Sequence, residues 1–213
     1  MVLTFFLQLL TFSLISLLSL SSRLYAQEIP DQVQVTVFEE KVVAVSSGQG
    51  GAVIKRLMPG ERVLQSGAEG LMGFALTNRR ILGFSARTRI WVIRNLKPGE
   101  GVLRGVEAGD QIVLVITNLG AHALSPAALN WATASFMAGE GLINSRIGNS
   151  VGLVATIRRI LGFSSSLGRW SSQNLLAGEK VTDVAVSDVT ATVQTNYNLV
   201  IFNSVTGEFE RIK

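Results

Sequence analysis

The sequence predicts an all-β chain built from five copies of one unit of about forty residues, and three observations carry that reading. The hexapeptide Arg-Arg-Ile-Leu-Gly-Phe occupies residues 79–84 and recurs unchanged at 158–163. A Gly-Glu pair falls at Gly60-Glu61, Gly99-Glu100, Gly139-Glu140 and Gly178-Glu179, in steps of 39, 40 and 39 residues (60 to 99 to 139 to 178). Composition is rich in Val, Ile, Leu, Gly, Ser and Thr with only 4 Pro, as suits strands joined by tight turns.

The units align on Phe38, Thr77, Thr117, Thr156 and Thr195. Each opens on a small or polar turn residue: Asp31, Gly70, Asp110, Asn149 or Asp188. A first strand follows at 33–37, 71–76, 112–116, 151–155 or 191–194, and several are almost continuously apolar, the pattern of strands covered on both faces. Tight turns at Glu39-Glu40, Asn78-Arg79, Asn118-Leu119, Ile157-Arg158 and Asn196-Tyr197 lead into second strands at 42–45, 81–84, 121–124, 160–163 and 199–202. A Ser- and Gly-rich loop then reaches a third strand around Ala52, Trp91, Trp131, Trp170 or Phe209. Met58-Pro59-Gly60-Glu61 and Lys97-Pro98-Gly99-Glu100 place Pro and Gly at the central positions of a type II turn. A fourth strand follows, as at 62–65 and 102–106, and no unit has room for a helix.

Four short antiparallel strands in about forty residues is the arithmetic of a β-propeller blade. Over residues 31–213 the chain resembles WD-type and other small propellers, five-bladed lectins among them, in period and layout. It lacks the Gly-His and Trp-Asp signatures of true WD repeats, since Val92, Ala132 and Ser171 follow the three tryptophans. The resemblance implies a five-bladed β-propeller with repeats at about 31–69, 70–109, 110–148, 149–187 and 188–213 and an incomplete last blade. That blade stays three-stranded, borrows residues 27–31 or takes a strand from another copy, because an unpaired edge is a template for pairing. The competing architecture, an outer-membrane barrel, needs aromatic girdles that 3 Trp and 2 Tyr do not supply.

Ahead of the units, residues 5–20 are nearly all apolar and Leu24-Tyr25-Ala26 ends on a small residue. This reads as a signal peptide over 1–26 with the mature chain from Gln27, exported to the periplasm or secreted; an uncleaved N-terminal anchor is the alternative. The chain has 0 Cys, which excludes disulfides, a cysteine nucleophile and thiolate metal sites. Net charge is +4, too small an excess to indicate nucleic acid.

No catalytic constellation emerges. His122 is the only histidine and stands in a second strand where other units have Val43, Leu82, Leu161 and Val200, so neither a zinc site nor a hydrolase triad is expected, and no cofactor. Arg79-Arg80 and Arg158-Arg159 occupy the same turn in units two and four, and guanidinium forks there suit carboxylates, phosphates or acidic glycans. The simpler alternative pairs them with Glu61, Glu100, Glu140 and Glu179, expected at the same end of the sheets. Trp91, Trp131, Trp170 and Phe209 form a repeated aromatic column, read as packing between blades rather than as a sugar-stacking surface.

The loops 46–51, 85–89, 125–130, 164–169 and 203–207 differ most between units and carry Arg87, Arg89, Asn130 and Arg169 as further binding candidates. Variable loops on a rigid scaffold are where function concentrates. The expected function is a non-enzymatic, exported scaffold that binds a protein or cell-surface partner through these loops, with self-association through the unpaired last blade. A multivalent lectin is the first alternative, and a glycan-processing enzyme using the channel carboxylates Asp110 and Asp188 is the second.

Overall fold

The computed structural model describes residues 32–48 and 50–213, and every regular element among them is a strand. The apolar segment 1–26, its cleavage point and Asp31 lie outside the described residues. Nineteen strands form five antiparallel sheets, each running in chain order. The first holds β1 (Val33–Phe38), β2 (Lys41–Ser46) and β3 (Ala52–Arg56). The second holds β4 (Val63–Glu69), β5 (Met72–Thr77), β6 (Arg80–Ser85) and β7 (Trp91–Asn95). The third holds β8 (Val102–Gly109), β9 (Ile112–Thr117), β10 (Gly120–Leu124) and β11 (Ala132–Ser135). The fourth holds β12 (Leu142–Ile147), β13 (Val151–Thr156), β14 (Arg159–Ser164) and β15 (Arg169–Asn174). The fifth holds β16 (Val181–Val186), β17 (Thr190–Thr195), β18 (Leu199–Asn203) and β19 (Glu208–Ile212). This is the five-bladed propeller that the period predicts.

The incomplete blade is the first, not the last. The strand after each Pro-Gly-type turn was expected to finish its own unit, but it pairs forward: β4 forms a hairpin with β5, and β8, β12 and β16 do the same with their successors. The reason is the tight turn that ends each of these strands, which folds it onto its successor, while a type II turn makes the connection from the preceding sheet. Gly60, Gly99, Gly139 and Gly178 all have φ between 70 and 77°, and Glu61 N–H donates to the Met58 carbonyl at 2.9 Å, which is type II turn geometry. The turn carries the chain across the gap to the next sheet instead of folding it back. Leftward of β1 there is then no described strand to pair with it, so the first sheet has three.

Successive sheets are joined by two kinds of contact. At one end, each inner turn hands a backbone amide to the next: Gln32 N–H to the Gly70 carbonyl, Leu71 to Asp110, Gln111 to Asn149 and Ser150 to Asp188, at 2.8 to 3.0 Å. The polar residues that open the units therefore form a hydrogen-bonded row through their backbones. Between the sheet faces lie apolar cores. Val42 meets Ala75 and Leu82 at the first seam; Phe74 meets Val113 and Val115 at the second. Leu114 meets Val154 and Leu161 at the third, and Leu153 meets Val193 and Val200 at the fourth. Strands β5, β9 and β13 are buried along their whole length, as their unbroken apolar sequences predict. Among the described residues, no apolar core joins the fifth sheet to the first.

The repeated hexapeptide owes its glycine to the seams. Gly83 of β6 lies under Leu124 and Trp131 of the third sheet, and Gly162 of β14 lies under Phe202 of the fifth. A Cβ on Gly162 would stand 2.6 Å from the Phe202 ring, inside van der Waals contact with a fully buried side chain. Gly162→Ala should therefore destabilise the protein by about 2 kcal/mol through overpacking. Gly101→Ala, where nothing lies within 4 Å, should leave the urea midpoint unchanged.

Candidate functional site

The best-defined polar constellation sits at the seams, on the Glu of each Gly-Glu pair. Glu61 Oε2 accepts the Met58 N–H of its own turn at 2.8 Å, and Oε1 accepts the Thr77 hydroxyl at 2.7 Å. The Arg80 guanidinium then binds both oxygens, Nε to Oε1 at 2.7 Å and Nη2 to Oε2 at 2.8 Å. Glu140 repeats the arrangement with Met137 N–H, Thr156 and Arg159. In units three and five the corresponding arginine is replaced by Gly120 and Asn198, yet the carboxylates keep a cation. Arg94 of β7 reaches Glu100 at 2.7 Å from the preceding sheet, and Arg211 of β19 reaches Glu179 at 2.6 Å. All four carboxylate side chains are fully shielded from solvent.

Burial alone raises a carboxyl pKa, but here the hydrogen bonds from guanidinium, hydroxyl and turn amide outweigh it. Glu61 and Glu140 are held below the usual 4.5, and Glu100 and Glu179 are lowered to about 2. His122 belongs to the same network at the second seam. Its Nε2 lies 3.2 Å from Glu100 and its Nδ1 lies 3.0 Å from the Thr133 hydroxyl. Burial and the nearby Arg94 charge lower its pKa to about 4, against the opposing pull of Glu100, so the ring is neutral near pH 7. With Nε2 carrying the proton toward Glu100, Nδ1 accepts from Thr133.

The structure divides the eight residues that the sequence marks for binding. Arg80 and Arg159 are taken up in the seams, each neutralised by its glutamate. Arg79 and Arg158 are exposed at the adjacent turns, beside Gly60 and Gly139. Arg87, Arg89, Asn130 and Arg169 lie at the opposite end of the sheets, on the rim of loops after the second strands. Arg89 braces that rim, donating to the carbonyls of Gly50 and Gly51 in the preceding loop at 3.1 and 3.0 Å. The aromatic column packs between blades. The indole N–H groups of Trp91, Trp131 and Trp170 each donate to the last strand of the preceding sheet, at Val53, Val92 and Ala132. Phe84–Trp91, Phe163–Trp170 and Phe202–Phe209 stack as tilted pairs with centroids 4.8 to 5.3 Å apart. Asp110, Asn149 and Asp188 sit in the inner turn row described above.

Sequence reasoning missed the cations Arg94 and Arg211, although a glutamate retained where its arginine is absent was the available signal. It also missed the apolar part of the rim. Ile90, Leu129, Leu167 and Val205, one per loop in sheets two to five, are exposed, Leu129 and Val205 by 64% and 63%. They stand on the same rim as Arg87, Arg89 and Arg169, and arginine is enriched at protein–protein interfaces.

No protein-family model matches the chain, and no curated protein matches it. Solved structures that it resembles include human WBSCR16, with a TM-score of 0.42 at 10% identity over 83% of this chain and 63% of that one. Prp20p from Saccharomyces cerevisiae gives 0.43 at 9% identity over 83% and 56%. YCF48 from Cyanidioschyzon merolae gives 0.38 at 10% identity over 81% and 66%. The chain spans less than two thirds of the first two.

The seam network predicts a two-stage loss of stability in acid. A group whose pKa is lowered on folding stabilises the fold above its unfolded pKa, and that contribution disappears as pH falls through the folded value. His122 therefore acts between about 6.5 and 4, and Glu100 and Glu179 between 4.5 and about 2. The urea midpoint should fall across both windows. His122→Leu, the residue found at Leu82 and Leu161, should remove the upper stage and leave the lower one.

Proposed function

We propose that the chain is a non-enzymatic, exported scaffold that binds a protein partner through the loops on the rim of its blades. The observation that carries this reading is the exposed aliphatic residue in each of four rim loops, flanked by Arg87, Arg89 and Arg169. The loops differ in length and sequence, whereas the seams beneath them repeat one design. The strongly lowered carboxyls all serve those seams, as does His122, which leaves no perturbed acid–base pair at the rim among the described residues to support catalysis. Export rests on the apolar run at 5–20 and the small residue at Ala26. The tryptophan N–H groups are used within the fold, so the column offers no support to a sugar-stacking surface.

The reading is tested by capture of binding proteins with two variants. Ile90→Ser, Leu129→Ser, Leu167→Ser and Val205→Ser combined alter the rim; Arg79→Ser with Arg158→Ser alters the opposite end. The rim variant should keep its thermal melt and lose partner binding by at least about tenfold, as loss of central anchors does. The turn-end variant should bind as the parent does. A silent rim with broad loss at the turn end would reverse the placement. Saturable, competable binding to a related set of sugars on a glycan array would replace the protein partner with a glycan.

A further inference from the structure

Among the described residues, the face of the first sheet away from the second and the face of the fifth sheet away from the fourth differ from every internal face and complement each other. At the first end, Gln34 and Thr36 of β1 point away from the second sheet, where β9 turns Val113 and Val115 toward its predecessor. Val45 and Ala52, paired across β2 and β3, hold the positions of Phe84 and Trp91, so this face lacks the aromatic wedge of an internal seam. Val45 is 43% exposed, whereas Phe84 is fully buried. At the last end, Thr190, Thr192 and Gln194 stand where β5 places Met72, Phe74 and Leu76. Both faces keep an apolar centre, Val43, Val45 and Ile54 on the first and Leu199, Ile201 and Ile212 on the last.

Charge separates them. The ionisable side chains on the strands of the first face are Lys41 and Arg56, paired across β2 and β3, with Glu39 and Glu40 in the turn at its margin. Those on the last face are Asp183, Glu208 and Glu210. Lys41 also occupies the second-strand position from which Arg80 and Arg159 serve their seams.

We infer that the fifth sheet of one copy docks on the first sheet of a second copy of this chain, through an apolar centre bordered by Lys41 and Arg56 against Asp183, Glu208 and Glu210. Two such contacts, fifth to first in each direction, would be related by a twofold axis and close the pair, whereas a single one would leave a growing filament. The polar substitutions near the inner strands make this seam weaker than the internal four and dependent on ionic strength.

Light scattering coupled to size exclusion tests it on three proteins. The parent, a 22.9 kDa protomer, should run at twice that mass at low salt and dissociate at about 0.5 M salt. Lys41→Glu with Arg56→Glu should weaken association at least about tenfold, and so should Glu208→Lys with Glu210→Lys. Mixing the two variants restores opposite charge at both contacts and should restore the dimer. Thermal melts keep misfolding from passing as dissociation. A parent of protomer mass at every concentration and salt, whether its ring stands open or closes on itself, overturns the inference. So does a dimer indifferent to both reversals, or a mixture that stays monomeric.

Discussion

Each seam of this protein turns on one buried carboxylate. A glutamate without solvent is costly to keep charged, and several donors at once are needed to keep it so. The Gly-Glu pair supplies the first of these automatically, because a type II turn directs its N–H toward the side chain that follows. That bond lies within the turn and needs no partner from a second sheet. The guanidinium is under no such constraint. Its long stem reaches the equivalent carboxylate from β6, β7, β14 or β19, with both oxygens engaged from β6 and β14 and Oε1 alone from β7 and β19, so the glutamate recurs at fixed spacing while its arginine moves.

Much of this architecture was legible in the residues. The period gave the number of blades, and the all-apolar strands at 112–116 and 151–155 announced burial on both faces. The turn residues placed the ends of the first and second strands to within a residue or two, whereas the strands expected at 62–65 and 102–106 run on to Glu69 and Gly109; the aromatic column packed where its spacing put it. Strand partnership was less legible. A strand after Pro98-Gly99 has the same local chemistry whether it folds back or crosses to a new sheet, and only the tight turn at Gly109-Asp110 decides which neighbour it takes. For the candidate site, the sequence gathered arginines by type, but Arg79 and Arg80 are adjacent in the chain and opposite in role, one in solvent and one sealed against Glu61.

Rigid and variable parts are sorted by end. Inner turns linked by backbone bonds and carboxylates locked at the seams hold most of the register of the five sheets away from the loops after the second strands. Those loops close their hairpins and tie to one another by a few hydrogen bonds, such as Arg89 to the Gly50 and Gly51 carbonyls and Ser85 to the Pro126 carbonyl, while the rest of each loop tolerates changes in length and composition. A surface can therefore diversify on this frame at little cost to the fold.

The hexapeptide glycines hold a last consequence. Sheets two and four are slim on both faces, with Gly73 and Gly152 toward the preceding sheet and Gly83 and Gly162 toward the following one. Their neighbours are bulky at the matching points: Val33 and Val35 lie over Gly73, Ile112 over Gly152, Trp131 over Gly83 and Phe202 over Gly162. Slim and thick blades alternate along the chain. Gain or loss of one blade would set slim against slim, leaving a void, or thick against thick, forcing a clash. Between the first and fifth sheets, blades are accordingly free to be gained or lost by pairs but not singly.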